Sequence, residues 1–516
     1  MVTTLFIKYY LRKASQTIFH YLHISIMKNK VQLITYIDRL SSKGIKELEK
    51  LLIWSFKDLF GGIHILPFYF PIDGADAGFD PIDHLLVDPK VGNWSDIKSL
   101  SRSIDIMADL IVNHVSSDSK EFKDFSENGK ESKYDGFFLT YNDVFPEGAT
   151  EDDLMKIYRP RPGLPFTYAD LKEGSKKLLW TTFTSKQIDI NVDNKLGKRY
   201  LDNILKIFYA NGINMIRLDA AGYAIKKQGT SCFMIPETFD FISNLSRRAS
   251  ELGIETLVEI HSYYKTQIEI AKRVDWVYDF ALPPLILHAF FFRTAKYLKH
   301  WIKIRPENAI TVLDTHDGIG IIDIGPDSKD PDMRPGLVPD AELDQMVEMI
   351  HDNSYGESRK ATGAAASNLD LYQVNCTYFD ALGGKPLPYL MARAIQFFLP
   401  GIPQVYYTGL LMGRNDMKLL AKTNVGRDIN RHYYTMDEVG KALEDPTVKR
   451  LFKLIKIRNT NPAFNGNFTL SNSSQNELHV KWTHDADSIS LQVDFSSLNY
   501  KILYSEGKDI KSFLLN

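Results

Sequence analysis

The sequence predicts an α/β protein. Its centre is a closed (β/α)8 barrel of the TIM type, with loop-rich domains inserted after the third and seventh strands and a small all-β domain at the C-terminus. Three observations predict this. Eight short apolar runs alternate with segments of helical period. Three of the runs lead into an acid: Asp219, Glu259 and Asp317. Beyond Pro462 the alternation ends and strand-like runs follow one another.

The predicted strands are Val31–Asp38, Gly62–Phe68, Ile104–His114, Ile213–Asp219, Glu255–Ile260, Trp276–Leu282, Ala309–Asp317 and Pro403–Tyr407. Helical stripes lie between them. Leu201, Ile204, Leu205 and Phe208 recur at helical spacing, and Gly212 follows where a helix stops. Phe241, Leu245, Ala249 and Leu252 form a second stripe closed by Gly253, and Leu48, Leu51 and Leu52 begin a third. Strand and helix in alternation imply a parallel sheet, and eight units imply closure. Two connections are too long for plain loops, Val115 to Asn194 and Gly318 to Gly384, and long loops in compact domains are usually functional. His479–Trp482, Ser488–Phe495 and Tyr500–Ser505 read as antiparallel strands.

The domain plan is therefore an N-terminal extension over 1–26 and barrel segments over 27–114, 195–317 and 384–463. Insertions occupy 115–194 and 318–383, and the β domain covers 464–516. The extension carries Lys8, Arg12 and Lys13, no acid, and no small-residue cleavage site. We expect Met27 to be the functional start.

A carboxylate at the end of a buried strand is costly to remove from water unless it is paired or used. Strand C-termini of such barrels carry catalytic groups. Asp219, Glu259 and Asp317, spaced by 40 and 58 residues, fit three catalytic acids on neighbouring strands better than three salt-bridged core acids. Arg217 shares the strand face of Asp219 and should favour its ionised form, as a nucleophile requires. Leu257 and Val258 give Glu259 an apolar approach that would suit it to donate a proton. Asp317 could stabilise positive charge. Cleavage of a glycosidic bond, with its oxocarbenium-like transition state, uses such a set.

Composition excludes other classes. The 516 residues are 44% apolar and 24% charged with a net charge of −2, which favours neither nucleic acid nor a membrane surface. Cys232 and Cys376 are the two cysteines, and no zinc spacing or disulfide framework is present. We expect a cytoplasmic protein with no cofactor. The stretch DGIGIIDIG over 317–325 lacks nucleotide-loop spacing and is set aside.

Four motifs appear in order: DLIVNH (109–114), MIRLDAAGY (215–223), LVEIHSYY (257–264) and LDTHDG (313–318). More particular ones join them: HILPFYFPIDGADAGFDPIDH (64–84), IYRPRPGLPF (157–166), DFALPPL (279–285), ATGAAASNLDLYQVN (361–375) and GRDINRHYY (426–434). Together they resemble the α-amylase superfamily, and within it the disaccharide phosphorylases that act on sucrose. The resemblance runs from Met27 to about Tyr434.

The resemblance implies that Asp219 is the nucleophile, Glu259 the general acid/base and Asp317 the transition-state stabiliser. It implies that Asp76 and Arg427 hold the outer hydroxyls of a glucosyl unit, that His114, Arg217 and His316 line the same subsite, and that Phe79 and Phe183 wall it with Tyr223 nearby. Tyr158, Arg161, His261, Leu369, Asp370, Tyr372 and Gln373 match the acceptor side, where fructose or phosphate sits. On this reading loop 365–373 shifts, with Asp370 facing fructose and Tyr372 facing phosphate. Some α-amylase relatives bind calcium near the position of Asn113, but no oxygen-ligand cluster stands out here and no metal is expected. A homodimer is expected from the family. The rival readings are a phosphorylase for sucrose 6-phosphate or glucosylglycerate, a sucrose hydrolase or transglucosylase, and a catalytically inactive amylase-like binding subunit.

Overall fold

A computed structural model of the chain describes residues 27–74, 76–161, 163–172, 174–327, 334–362, 373–506 and 509–515. The expectation about residues 1–26 lies outside them. Eight parallel strands close a barrel: β1 (Gln32–Thr35), β2 (Gly62–Ile65), β3 (Asp105–Ile111), β4 (Ile213–Asp219), β5 (Glu255–Val258), β6 (Trp276–Asp279), β7 (Ala309–Thr311) and β8 (Ile402–Tyr406). Each neighbours its sequence predecessor, and β1 closes on β8 with Gln32 opposite Gln404. Gln404 Nε2 donates to Gln32 Oε1 at 2.8 Å inside the barrel, a buried amide-to-amide bond across the closing strands.

The predicted helical stripes face the sheet. Leu201, Ile204, Leu205 and Phe208 are buried on the helix Lys195–Ala210. The side chain of Asn194 caps that helix by accepting from the Leu196 amide. Gly212 ends the stretch at φ 77°, a conformation that favours glycine, and turns the chain into β4.

Six of the eight barrel strands are shorter than the predicted runs, while β4 and β8 match theirs in length. The run Ala309–Asp317 forms a ladder only over β7, and Val312 to Asp317 leave it. In the released segment the Asp314 carboxylate takes Arg393 NH2 at 2.6 and 2.7 Å and faces the Tyr406 amide at 3.4 Å. A side-chain network replaces the ladder and aims the following residues at the barrel mouth.

The connection after β3 holds the hairpin Phe166–Asp170 with Lys176–Trp180, and the pair His114–Ser116 with Gln187–Asp189. Its Leu139, Val144, Phe145, Ile157 and Trp180 form a small separate core, which Cys232 from beyond β4 completes. The connection after β7 carries the helix Asp340–Asn353 and pairs Ile319–Gly320 with Gln373–Val374.

The C-terminal sheet has five antiparallel strands in sequence order: β9 (Asn467–Leu470), β10 (Glu477–His484), β11 (Asp487–Asp494), β12 (Asn499–Glu506) and β13 (Asp509–Phe513). Trp482 Nε1 donates to the Phe398 carbonyl at 2.6 Å and fastens the sheet to the barrel helix Pro386–Phe398.

Candidate active site

Asp219 is the last residue of β4, and Glu259 follows the last residue of the adjacent β5. Ala220 adopts the left-handed conformation at φ 55°, so the chain turns sharply just after Asp219. Arg217 lies on the same strand face as Asp219, as its spacing predicts. Its NH1 sits 2.9 Å from Asp219 Oδ1, and its NH2 sits 3.1 Å from Glu259 Oε1. One guanidinium thus holds both acids on its two prongs.

Arg217 also pairs with Asp109 of β3 at 2.5 Å, and Asp109 accepts from His64 Nε2 at 2.9 Å. Arg217 is therefore shared among three carboxylates, which corrects the expectation for Asp219. Burial, aided by the charges of Glu259, Asp109 and Asp317, outweighs Arg217 and pushes Asp219 well above the ordinary carboxylate range. The apolar setting expected for Glu259 is corrected too, because its carboxylate meets Arg217 and lies 4.0 Å from His261 Nε2.

Asp317 is held from the opposite side. Arg427 NH1 lies 2.7 Å from Asp317 Oδ1, and Arg427 NH2 lies 2.7 Å from Asp76 Oδ1. Burial would raise Asp317, but His316, Arg427, Arg431 and Arg217 outweigh it and hold the carboxylate well below its ordinary range. Burial lowers His316 itself well below its usual pKa although Asp317 lies 3.3 Å away, and Arg427 NH1 is the nearest guanidinium nitrogen to Asp317. Arg431 Nε donates to the His316 carbonyl at 2.8 Å and Asn430 Nδ2 to the Thr315 carbonyl at 2.9 Å, so the 315–317 segment is tied down.

Aromatic rings line the space between. Phe79 stacks on His316 at 4.7 Å and 10°, and faces the Arg217 guanidinium at 5.4 Å. His114 meets Phe183 edge-on at 5.3 Å, Phe183 meets Tyr223 at 5.1 Å, and Tyr158 stacks on Tyr223 at 6.2 Å. Arg161 lies over Phe183, 6.0 Å from its centroid. Burial and the like charge of Arg427 lower the Arg161 guanidinium from its ordinary value. Two cations in each other's field favour a bound anion. Gln373 Nε2 sits 3.2 Å from His261 Nε2. The structure thus gathers Asp76, Phe79, His114, Tyr158, Arg161, Phe183, Arg217, Tyr223, His261, His316, Gln373 and Arg427 with the three acids. Leu369, Asp370 and Tyr372, and the loop shift expected of them, lie outside the described residues.

Sequence reasoning missed several supports. Asp109 and His64 balance Arg217; a charge inside the apolar run DLIV was the signal for Asp109. Lys226 was also missed. Its ammonium is buried, 2.5 Å from Asp189 Oδ2 and 2.7 Å from Asn113 Oδ1. Asp189 accepts as well from Asn113 Nδ2 and from the amide and hydroxyl of Thr182. These are the oxygens a calcium ion beside Asn113 would need, and an ammonium already engages them, so the residues do not fit calcium. Glu259, His261 and Asp317 each bring a donor atom within 4.8 Å of the others, yet guanidinium groups engage both carboxylates.

An eight-stranded β/α barrel with paired carboxylates and a third acid at its C-terminal mouth defines a glycoside-active barrel of the α-amylase type. The comparisons agree. Residues 57–275 match the family described as the α-amylase catalytic domain. The chain is 58% identical over 470 residues to a sucrose phosphorylase of Agrobacterium vitis, covering 91% of this chain and 96% of that one. It is 54% identical to a sucrose phosphorylase of Bifidobacterium adolescentis, covering 90% and 92%. The crystal structure of a sucrose 6F-phosphate phosphorylase from Thermoanaerobacter thermosaccharolyticum superposes with TM-score 0.87 at 38% identity, covering 96% and 99%. The chain belongs to the sucrose phosphorylase family.

Proposed function

We propose that the protein transfers the glucosyl group of sucrose to phosphate with retention, reversibly, giving α-D-glucose 1-phosphate and D-fructose. The observation that carries this reading is the Arg217 fork, which holds Asp219 and Glu259 side by side on adjacent strand ends. Double displacement needs a nucleophile and an acid/base at such close quarters.

In the first step an Asp219 oxygen bonds to the anomeric carbon as the bond to the fructosyl oxygen breaks, and Glu259 gives that oxygen its proton. Burial and the neighbouring carboxylates raise the proton affinity of Asp219, and Arg217, which touches both acids, works against that rise. Asp317, held anionic, faces the positive charge that develops on the sugar. Asp76 and Arg427 fix the outer hydroxyls, and Phe79 forms one wall. In the second step a phosphate oxygen attacks the same carbon, the bond to Asp219 breaks, and Glu259 takes up the phosphate proton where one is present. Arg161 supports the choice of phosphate over water by offering a guanidinium to its oxygens.

The test is direct. Incubation with sucrose and phosphate should yield α-glucose 1-phosphate and fructose, and Asp219→Ala should abolish this. Free glucose alone would make the protein a hydrolase, and turnover confined to sucrose 6-phosphate or glucosylglycerate would assign it to those relatives. No product from any of them would leave an inactive binding subunit. No helix among the described residues is long and apolar enough to cross a membrane, and both cysteines are buried thiols. We assign the protein to the cytoplasm, which fractionation of the native cell would check. The homodimer remains our expectation, to be read by analytical ultracentrifugation.

A further inference from the structure

The stretch 317–325, set aside in the sequence, contains a buried acid that the reaction above does not use. Asp323 is fully buried. Its Oδ2 lies 2.8 Å from His261 Nδ1, and its Oδ1 accepts from the Ser262 amide at 3.1 Å and from Gln267 Nε2 at 2.8 Å. The His261 ring stacks on Phe280, 3.9 Å between centroids and 14° from parallel. Gly320 lies against this pair: a Cβ there would collide with Asp323 Oδ2 and come within 3.1 Å of His261 Nδ1. The imidazole is thus fixed in plane by Phe280 and in rotation by Asp323. Nδ1 is committed to the carboxylate, and Nε2 turns toward the mouth, 4.0 Å from Glu259 Oε1.

We propose that Asp323 is a positioning residue that makes His261 an Nε2–H donor to the incoming phosphate, and that the bare backbone of Gly320 admits the pair. This rests on the reading of phosphate as the acceptor. A second-sphere carboxylate that binds one imidazole nitrogen fixes the tautomer and strengthens the other nitrogen's role. Among the described residues, the charged groups facing His261 include Asp323 and Asp317 beyond β7 and Glu259 beyond β5, with Arg217 of β4 behind Glu259. Burial would lower the imidazole, but the three acids outweigh it and raise His261 above its ordinary value. Neutral His261 accepts at Nε2 from the Gln373 amide, whose Oε1 is anchored on the Gly318 N–H at 3.3 Å. Charged His261 exchanges that acceptor for a donor and turns it to an anion. Among candidate acceptors, the dianion gains most from this exchange.

The experiment compares wild type with Asp323→Asn and Gly320→Ala, measuring KM for phosphate and for sucrose between about pH 5.5 and 8.5, where an imidazole titrates. Affinity that depends on charged His261 is present below its pKa and lost as pH rises through it. Both variants should raise the phosphate KM about tenfold, the worth of one charge-assisted hydrogen bond. The sucrose KM should move far less. In Asp323→Asn the loss of phosphate affinity should begin at lower pH than in wild type, with phosphate ionisation the same for both. Equal rises in both KM values with no displaced profile would overturn the proposal. If Asp323→Asn fails to fold, His261→Gln decides: it should remove the pH dependence that wild type shows beyond that of phosphate, and keeping that dependence would overturn the proposal. Wild type that forms no glucose 1-phosphate rejects the phosphorylase reading itself; an active wild type with unmoved variants rejects only the role of Asp323.

Discussion

Arg217 NH1 lies 2.5 Å from Asp109 Oδ1 across neighbouring strands, with both side chains out of water. The pair carries the Arg217 fork and thereby places Asp219 and Glu259, the two carboxylates proposed to react. Removing one partner of a buried ion pair strands the other charge. Asp109→Asn should cost about 3 kcal/mol of stability at neutral pH and misplace both acids.

The same residue carries a pH signature. Burial would raise Asp109, but His64 and Arg217 bring it down to about 2. A lowered carboxylate contributes stability above its unfolded value, near 3.8, and loses it as pH falls toward the folded one. Urea unfolding near pH 7 and near pH 3 should show a smaller acid loss in Asp109→Asn than in wild type. Equal losses would place the acid sensitivity elsewhere.

Lys226→Met should destabilise by about 3 kcal/mol, because it removes one partner of a buried ion pair and leaves Asp189 buried without the ammonium. Adding Asp189→Asn should recover part of that loss. Chelators should leave the melting temperature of wild type unmoved, since Lys226 stands among the oxygens that calcium would take. A chelator-induced drop would refute that role.

Arg427→Lys tests the second fork. Asp76 and Asp317 each take a different nitrogen of Arg427, and one ammonium cannot reproduce that geometry. A loss of about 2 kcal/mol in kcat/KM for sucrose is expected, roughly thirtyfold. Steady-state kinetics showing near-normal values would mean that the guanidinium shape is irrelevant.

Arg161→Ala should weaken phosphate use more than hydrolysis of the glucosyl-enzyme. Product ratios at fixed sucrose and rising phosphate would show it. Equal loss of both reactions would make Arg161 structural.

Much of this protein is legible in the sequence because periodicity and strand ends are local signals. The stripe Leu201, Ile204, Leu205 and Phe208 fixes a helix face, and Asp219 marks the end of β4. Motif resemblance reached further, to Asp76 and Arg427, which lie 351 positions apart yet meet at 2.7 Å. Residues that act through others were not legible. Asp323 looks like one acid in a glycine-spaced run, and Lys226 like surface charge, until the fold brings their partners to them.

The sequence alone predicted the barrel, its inserted connections and three acids at strand ends, since hydrophobic alternation and short motifs survive in one dimension. The tertiary structure decided how charge is shared. Arg217 divides itself among Asp109, Asp219 and Glu259, which leaves Asp219 raised while Asp317 stays anionic beside Arg427. A carboxylate's proton affinity is set by burial and by charges a few ångströms away in space, and neither distance is written along the chain.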